Sequence, residues 1–310
     1  MKVRTLERSF VMKLPTDKNL LYHLAAIFCI LVWGTTFVSS KVLINHGLNP
    51  VSIFFCRFLI AYIFIWAIAP KRLFSKSLKD EFIFVLLGLT GGSLYFFSEN
   101  TALKITYVNN VALLVCTAPL LTALLSAGFE RKRKIGKRLI AFSLLALAGA
   151  ALVVFNGNFV FQSNFIGDAL SIVAALSWAV YTIALKSLGN RYSMVFVTRK
   201  VFIYGLLTML PFMIIEPLEI DFAIIFKPVV LFNLIFLGIF ASLVCFVLWN
   251  KALKHLDAVK ISNYIYFNPL VTLITSALVL GEVITPVALV GAVFIVGGIF
   301  FAEKTKTNKP

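Results

Sequence analysis

The chain has 310 residues, 60% of them hydrophobic, with 31 phenylalanines and only 14% charged residues. A soluble domain is about half apolar and about a quarter charged, so this surplus excludes a soluble globular fold and points to a bilayer as solvent. The net charge of +16 does not indicate a nucleic-acid partner, because the basic residues sit in short gaps between apolar runs and form no basic face interleaved with aromatics.

Ten runs reach the length of about 20 apolar residues that a helix needs to span a bilayer. In chain order they are 20–44, 51–69, 81–103, 107–129, 137–155, 167–187, 194–215, 229–252, 258–281 and 286–303. The expected fold is an all-α polytopic membrane protein of ten transmembrane helices joined by short loops, with no soluble domain. Five Lys and Arg lie in the first 20 residues, four at 71–79, six at 131–138, four at 186–200, three at 251–260 and three after 303. The alternate gaps carry only Lys41, Lys104 and Lys227, with Arg57 inside a span. The positive-inside rule then places both termini in the cytoplasm, as an even number of spans requires. A multi-pass protein of the cell inner membrane is expected. The first run is too long for a secretory signal. Cys29, Cys56, Cys116 and Cys245 all fall in apolar runs without metal-ligand spacing and are read as small buried hydrophobes.

The chain is internally repeated. A slide of 150 aligns 82–127 with 232–277 without a gap, giving 13 identities in 46 positions. NTALK at 100–104 meets NKALK at 250–254, and PLLT at 119–122 meets PLVT at 269–272. A slide of 145 brings Trp33 and Lys41 onto Trp178 and Lys186. The expected organisation is a cytoplasmic tail (1–19), a first five-helix repeat (20–155), a short external linker (156–166), a second five-helix repeat (167–303) and a cytoplasmic tail (304–310). Five spans is an odd number, so the copies are inverted. Inverted repeats are a hallmark of secondary transporters, whose solute binds near the midplane between the halves.

Trp33–Gly34, NTALK, APLLTALL at 118–125 and LGEVITPVALVGAVFIVGGIF at 280–300 resemble the EamA family of the drug/metabolite transporter superfamily, over about 20–303 and in two copies. The resemblance implies ten helices, a central cavity and export of small metabolites or amino acids.

Candidate solute-binding residues are Trp33, Arg57, Tyr95, Glu99, Asn110, Trp178, Tyr181, Trp249, Tyr264 and Asn268. Arg57 is a cation inside a span, which insertion scales penalise by ~2.5–3.5 kcal/mol. It either serves an anionic group of the solute or snorkels to the nearby membrane face. Arg199, its second-half counterpart, reads more as a snorkelling residue. Glu99 ends a long apolar run and has Trp249 as its repeat mate. It is the candidate for proton coupling, a role carboxylates in membranes often serve; the alternative is a salt bridge to Lys104 or Arg57. Asn100 and Asn250 are duplicated and read as scaffold residues bonding across helices. Pro119 and Pro269 interrupt matched spans as hinges, with Thr122 and Thr272 placed to meet freed carbonyls. Tyr95, Phe96 and Trp249 read either as cavity lining or as packing, as do Trp33 and Trp178. Asn109, Asn110, Thr117, Asn263, Tyr264, Tyr266 and Asn268 make the fourth and ninth helices more polar than lipid contact favours. Gly91, Gly92, Gly297 and Gly298 read as close-packing positions, and Glu130, RKRKIGKR and Glu282 as membrane-edge features.

No P-loop, HExxH or hydrolase pattern occurs, so neither an enzyme, nor a cofactor, nor direct use of ATP is expected. The expected partners are a small-molecule solute and membrane lipids; the oligomeric state stays open. The reading is a secondary transporter working by alternating access, with a receptor, a scaffold or a channel as alternatives.

Overall fold

The computed structural model describes residues 18–68, 74–106, 108–129, 137–155, 164–280 and 284–304. Glu130, Glu282 and most of RKRKIGKR lie outside these residues, as do most of the external linker and nearly all of both tails. Among the described residues all regular structure is helical. Seven stretches are long and apolar enough to cross a membrane: Asn19–Asn45, Pro50–Ile68, Leu78–Ile105, Asn110–Gly128, Phe165–Ser187, Met194–Ile215 and Pro228–His255. Shorter apolar helices cover Ile140–Phe155 and Pro286–Phe301, and two single-turn helices, α10 (Phe212–Ile215) and α11 (Phe222–Ile225), lie between Met209 and Pro228.

The polarity of the bundle is that of a membrane protein. Leu21, Ile63, Trp66, Phe82, Leu278 and Val293 face outward, whereas Arg57, Glu99, Asn100, Thr122, Ser171 and Asn250 are buried. Lipid tails offer no hydrophobic drive for helix association, so contacts rest on small residues and interior polar groups. Helix α7 (Lys137–Phe155) and α16 (Pro286–Lys304) show this well. A Cβ at Gly149 would lie 2.6 Å from the Gly291 carbonyl, and one at Gly291 would lie 2.6 Å from the Gly149 carbonyl. Gly298 packs likewise against Phe142, but Gly297 faces open space. The expectation of close packing at Gly297 is therefore corrected: it lies one residue, about 100° of helix, off the packed face.

Contacts between helix ends sort the elements into two ends. At the terminus-bearing end, Tyr22 of α1 (Lys18–Asn45) stacks on His255 of α13 (Cys245–His255). His23 bonds Tyr264, and Arg191 pairs with Asp80 of α3 (Leu78–Gly88). At the far end, Asn49 donates to the Pro217 carbonyl, Ser52 of α2 (Pro50–Ile68) to that of Glu219, and Asn164 to that of Ile105. Adjacent helices thus run antiparallel.

The repeat reappears as matched irregularities. Between α3 and α4 (Leu94–Ile105) the backbone is π-helical over Leu89–Ser93, with Gly92 departing from helical dihedrals. Between α12 (Pro228–Ile235) and α13 it is π-helical over Phe236–Val244. The 150-residue slide superposes these segments. The fourth predicted span is broken at Cys116–Thr117, between α5 (Val108–Val115) and α6 (Ala118–Phe129). The ninth passes from α14 (Ala258–Ser262) through a 3-10 segment, Asn263–Phe267, into α15 (Asn268–Leu280). Each break immediately precedes the helix that Pro119 or Pro269 opens. A proline lacks its N–H and suits a helix start.

Candidate functional site

The two broken helices face one another. Cys116 Sγ lies 3.7 Å from the Ile265 carbonyl, the group one turn before Pro269 that the proline cannot bond. Thr122 donates to Ala118 and Thr272 to Gly34 and Asn268. Their hydroxyls thus do not meet the carbonyls that the prolines leave free, at Val115 and Ile265, as the sequence had suggested. A threonine bonds most readily one turn back from itself, which is three residues short of that role.

A cavity of about 40 Å³ opens beside this crossing. Its polar lining is Arg57, Glu99, Tyr95, Thr36 and Asn268, and Trp33, Phe37, Phe96, Trp178 and Phe246 are its aromatic walls. Val115, Ala118 and Ile265 come from the flanks of the two breaks. Arg57 follows the far-end start of α2 by seven residues and Glu99 precedes the far-end finish of α4 by six. At 1.5 Å per residue both lie about 10 Å in.

The second repeat's π-helical segment holds the first repeat's site residues. Ser242 Oγ accepts from Arg57 Nε at 3.0 Å, and the Ala241 carbonyl accepts from Trp33 Nε1 at 2.9 Å. A π-helical turn displaces carbonyls from the regular ladder and makes them available to such donors. The Arg57 guanidinium also lies 4.2 Å from the centroid of the Phe96 ring, a cation–π contact. Arg57 is only 2% exposed, which rules out snorkelling. Arg199 is equally buried, its guanidinium 5.2 Å from the Phe196 ring, so the reading of it as a snorkelling residue is corrected.

Glu99 accepts from the Tyr95 hydroxyl at 2.8 Å, one turn earlier on α4. Lys104 is engaged elsewhere, 2.7 Å from Glu216. No direct ion pair joins Arg57 and Glu99 among the described residues. Each charge is held by a neutral partner and both line one chamber. Trp178 Nε1 and Asn268 Oδ1 line the same space, are buried, and have no protein partner among the described residues. The cavity therefore offers a cation, an anion, a free donor and a free acceptor between aromatic faces. It would suit a small solute with opposite charges and an apolar body.

Six of the candidates line this cavity: Trp33, Arg57, Tyr95, Glu99, Trp178 and Asn268. The structure puts the other four elsewhere. Trp249 is fully buried beneath Trp33, ring centroids 4.9 Å apart. Tyr181 donates to Asn250 at 2.6 Å, and Tyr264 bonds His23 at 2.8 Å near the terminus-bearing end. Asn110, on α5, is buried away from the cavity lining, and the side chain of Asn109 lies outside the described residues. Phe246 was missed, although the repeat contained its signal: it aligns with Phe96, and both line the cavity. Val115 and Ile265 carried the same signal, since the 150-residue slide pairs them one turn before the matched prolines; Phe37 carried none.

The duplicated asparagines differ. Asn250 accepts from Tyr181 and donates to Thr198 Oγ1 at 3.0 Å, tying α13 to α8 (Phe165–Ser187) and α9 (Met194–Met209). Asn100 is as deeply buried, yet neither atom of its amide has a partner among the described residues. Asn250 fits the scaffold reading; Asn100 does not share its bonding. The duplicated lysines do match. Lys41 caps the Leu103 carbonyl at 2.7 Å and Lys186 that of Leu256, each at the end of a helix carrying an NxALK motif.

Two stretches, 20–155 and 165–303, match the EamA-like transporter family. The chain belongs to this family. An uncharacterized transporter of Archaeoglobus fulgidus is 28% identical over 286 residues, 90% of this chain and 96% of its own length. A probable terminal-alkyne amino-acid exporter of Streptantibioticus cattleyicolor is 27% identical, over 90% of this chain and 92% of its own. A probable amino-acid metabolite efflux pump of Salmonella typhimurium is 26% identical, over 89% and 92%. A crystal structure superposes with a TM-score of 0.72 at 20% identity, covering 91% of this chain and 96% of the other; it shares the fold. The EamA chain described here is thus a multi-pass membrane protein of a transporter family, duplicated within one chain.

Proposed function

We propose that this EamA protein is a secondary exporter of small zwitterionic solutes of the amino-acid class, working by alternating access. One observation carries the reading: Arg57 and Glu99 are buried in one cavity where two broken helices cross, with no direct ion pair between them among the described residues. Arg57 and the Trp178 indole N–H would take the carboxylate. Glu99 and Asn268 Oδ1 would take the ammonium group, and the aromatic walls would take the apolar side chain. The names of the relatives from Streptantibioticus and Salmonella support this class. The topology is ten spans with both termini in the cytoplasm, in the inner membrane. The basic clusters support it, as does the sharing of one end by Tyr22, Asp80, Arg191 and His255. Small-molecule sites commonly measure ~300–1000 Å³. At about 40 Å³ the chamber is too small for such a solute, so loading requires the halves to part, as alternating access demands.

Counterflow of radiolabelled amino acids in proteoliposomes tests the proposal. Saturable counterflow by the native protein, lost in Arg57→Met, is expected. A receptor or scaffold would bind without counterflow, and a channel would not saturate. Native protein that stabilises on binding amino acids yet shows no counterflow would overturn the transport reading.

A further inference from the structure

The cavity lies between the midplane and the far end of the bundle, and a second set of buried polar groups lies on its other side. Ser126 of α6, Ser143 of α7, Ser262 of α14, and Asn263 and Tyr266 of the 3-10 segment are each at most 2% exposed. Ser126 Oγ, Ser262 Oγ and Asn263 Oδ1 have no hydrogen-bond partner among the described residues, and Tyr266 OH and Ser143 Oγ have at most each other. Their elements form one contact group: α14 and the 3-10 segment touch α6, and the 3-10 segment and α6 touch α7. Ala123, Phe142 and Val259 pack together between them, and the Tyr266 hydroxyl lies beside Ser143.

Two features set these groups apart from ordinary helix-interior hydroxyls. Elsewhere in the bundle, buried Thr122, Ser171, Thr182 and Thr198 bond the carbonyl four residues back, the usual resort of such a residue. Ser126, Ser143 and Ser262 do not. The groups are also ordered along the membrane normal. Ser126 lies three residues from the terminus-bearing end of α6, Ser262 four residues into α14 and Ser143 six residues into α7. Tyr266 follows, and two residues later Asn268 Oδ1, also unpartnered, lines the cavity. Buried polar groups require partners, and inside a membrane bundle water or a polar solute supplies them.

The geometry points to a hydrated access route from the cytoplasmic face to the cavity, running between α6 and α7 of the first repeat and α14 and the 3-10 segment of the second. It rests on the transport reading above for its purpose but not for its existence. In the conformation described it is closed around its polar groups. Its function is to carry water and the charged ends of the solute between the cytoplasm and Asn268.

Hydroxyl-radical footprinting of the unsubstituted protein in detergent tests the hydration. Tyr266 and Tyr181 are both fully buried, and Tyr181 is bonded to Asn250 in a packed setting. At least five-fold faster oxidation of Tyr266 than of Tyr181 is expected; equal rates would overturn the inference. Sidedness is tested in a background with the four native cysteines replaced by alanine. Ser126→Cys and Ser262→Cys are exposed to a charged, membrane-impermeant methanethiosulfonate in oriented vesicles. Modification from the cytoplasmic face at least ten-fold faster than at Leu124→Cys, which faces lipid on the same helix, is expected. Rates equal to that control, or modification only from the opposite face, would overturn it. Counterflow is measured separately on the native protein, so labelling without counterflow defeats the transport proposal, and counterflow without labelling defeats this route.

Discussion

Asn250→Ala removes the centre of a buried three-helix tie, and its effect can be worked from the contacts. Two hydrogen bonds disappear, from Tyr181 at 2.6 Å and to Thr198 at 3.0 Å. Thr198 keeps its bond to the Met194 carbonyl, so losing Asn250 as a donor leaves it satisfied. The Tyr181 hydroxyl is left buried without an acceptor. An interhelical hydrogen bond in a membrane protein averages about 0.6 kcal/mol, with a maximum near 1.7, and an orphaned buried group adds about 1–3. A loss of about 2–4 kcal/mol is expected, read from unfolding by SDS titration in mixed micelles. Asn100→Ala breaks no protein hydrogen bond and is expected to change stability by less than about 1 kcal/mol. Pairing Asn250→Ala with Tyr181→Phe should give a coupling of about 1 kcal/mol in a double-mutant cycle. Zero coupling, or equal losses at the two asparagines, would refute the division between them.

Ser242→Ala leaves Arg57 without its neutral partner; a charged hydrogen bond is worth about 1.5–3 kcal/mol, so solute affinity measured by thermal-shift titration is expected to weaken about ten-fold or more. Glu99→Gln is expected to flatten the pH dependence of counterflow in proteoliposomes, and an unchanged profile would remove Glu99 from any proton coupling. Gly149→Leu is expected to abolish folded protein by size-exclusion chromatography, because its Cβ would meet the Gly291 carbonyl at 2.6 Å, whereas Gly297→Leu, facing open space, should behave as the native chain does.

The sequence made the helices legible because a bilayer leaves little choice: 20 apolar residues between basic gaps form a helix, and matched prolines break it. The described helices begin and end within a few residues of the expected positions, as at Lys18–Asn45 and Pro50–Ile68. The cavity was only partly legible. Residues with a chemical anomaly, such as Arg57 inside a span, or a repeated identity, such as Trp33 with Trp178, could be picked out. Tyr264 and Asn110 were selected for polarity alone, and polarity on a helix does not say which neighbour satisfies it. The π-helical segments left no trace, since LTGGS and FLGIFASLV read equally well as ordinary apolar helix. The partner of Arg57 was hidden for the same reason: Ser242 is one small residue among apolar ones until the π-helical turn presents it.

Those two segments also fix the phase of everything after them. A π-helical turn accommodates one residue more than an α-helical turn, so side chains beyond it are rotated by roughly 100° relative to an uninterrupted helix. Tyr95, Phe96 and Glu99 come directly after Leu89–Ser93, and Phe246 and Trp249 directly after Phe236–Val244. Deleting one residue within 89–93 would restore regular winding and swing the carboxylate and its tyrosine off the chamber together. The angular setting of the site is thus encoded upstream of it, in stretches none of whose residues lines the cavity.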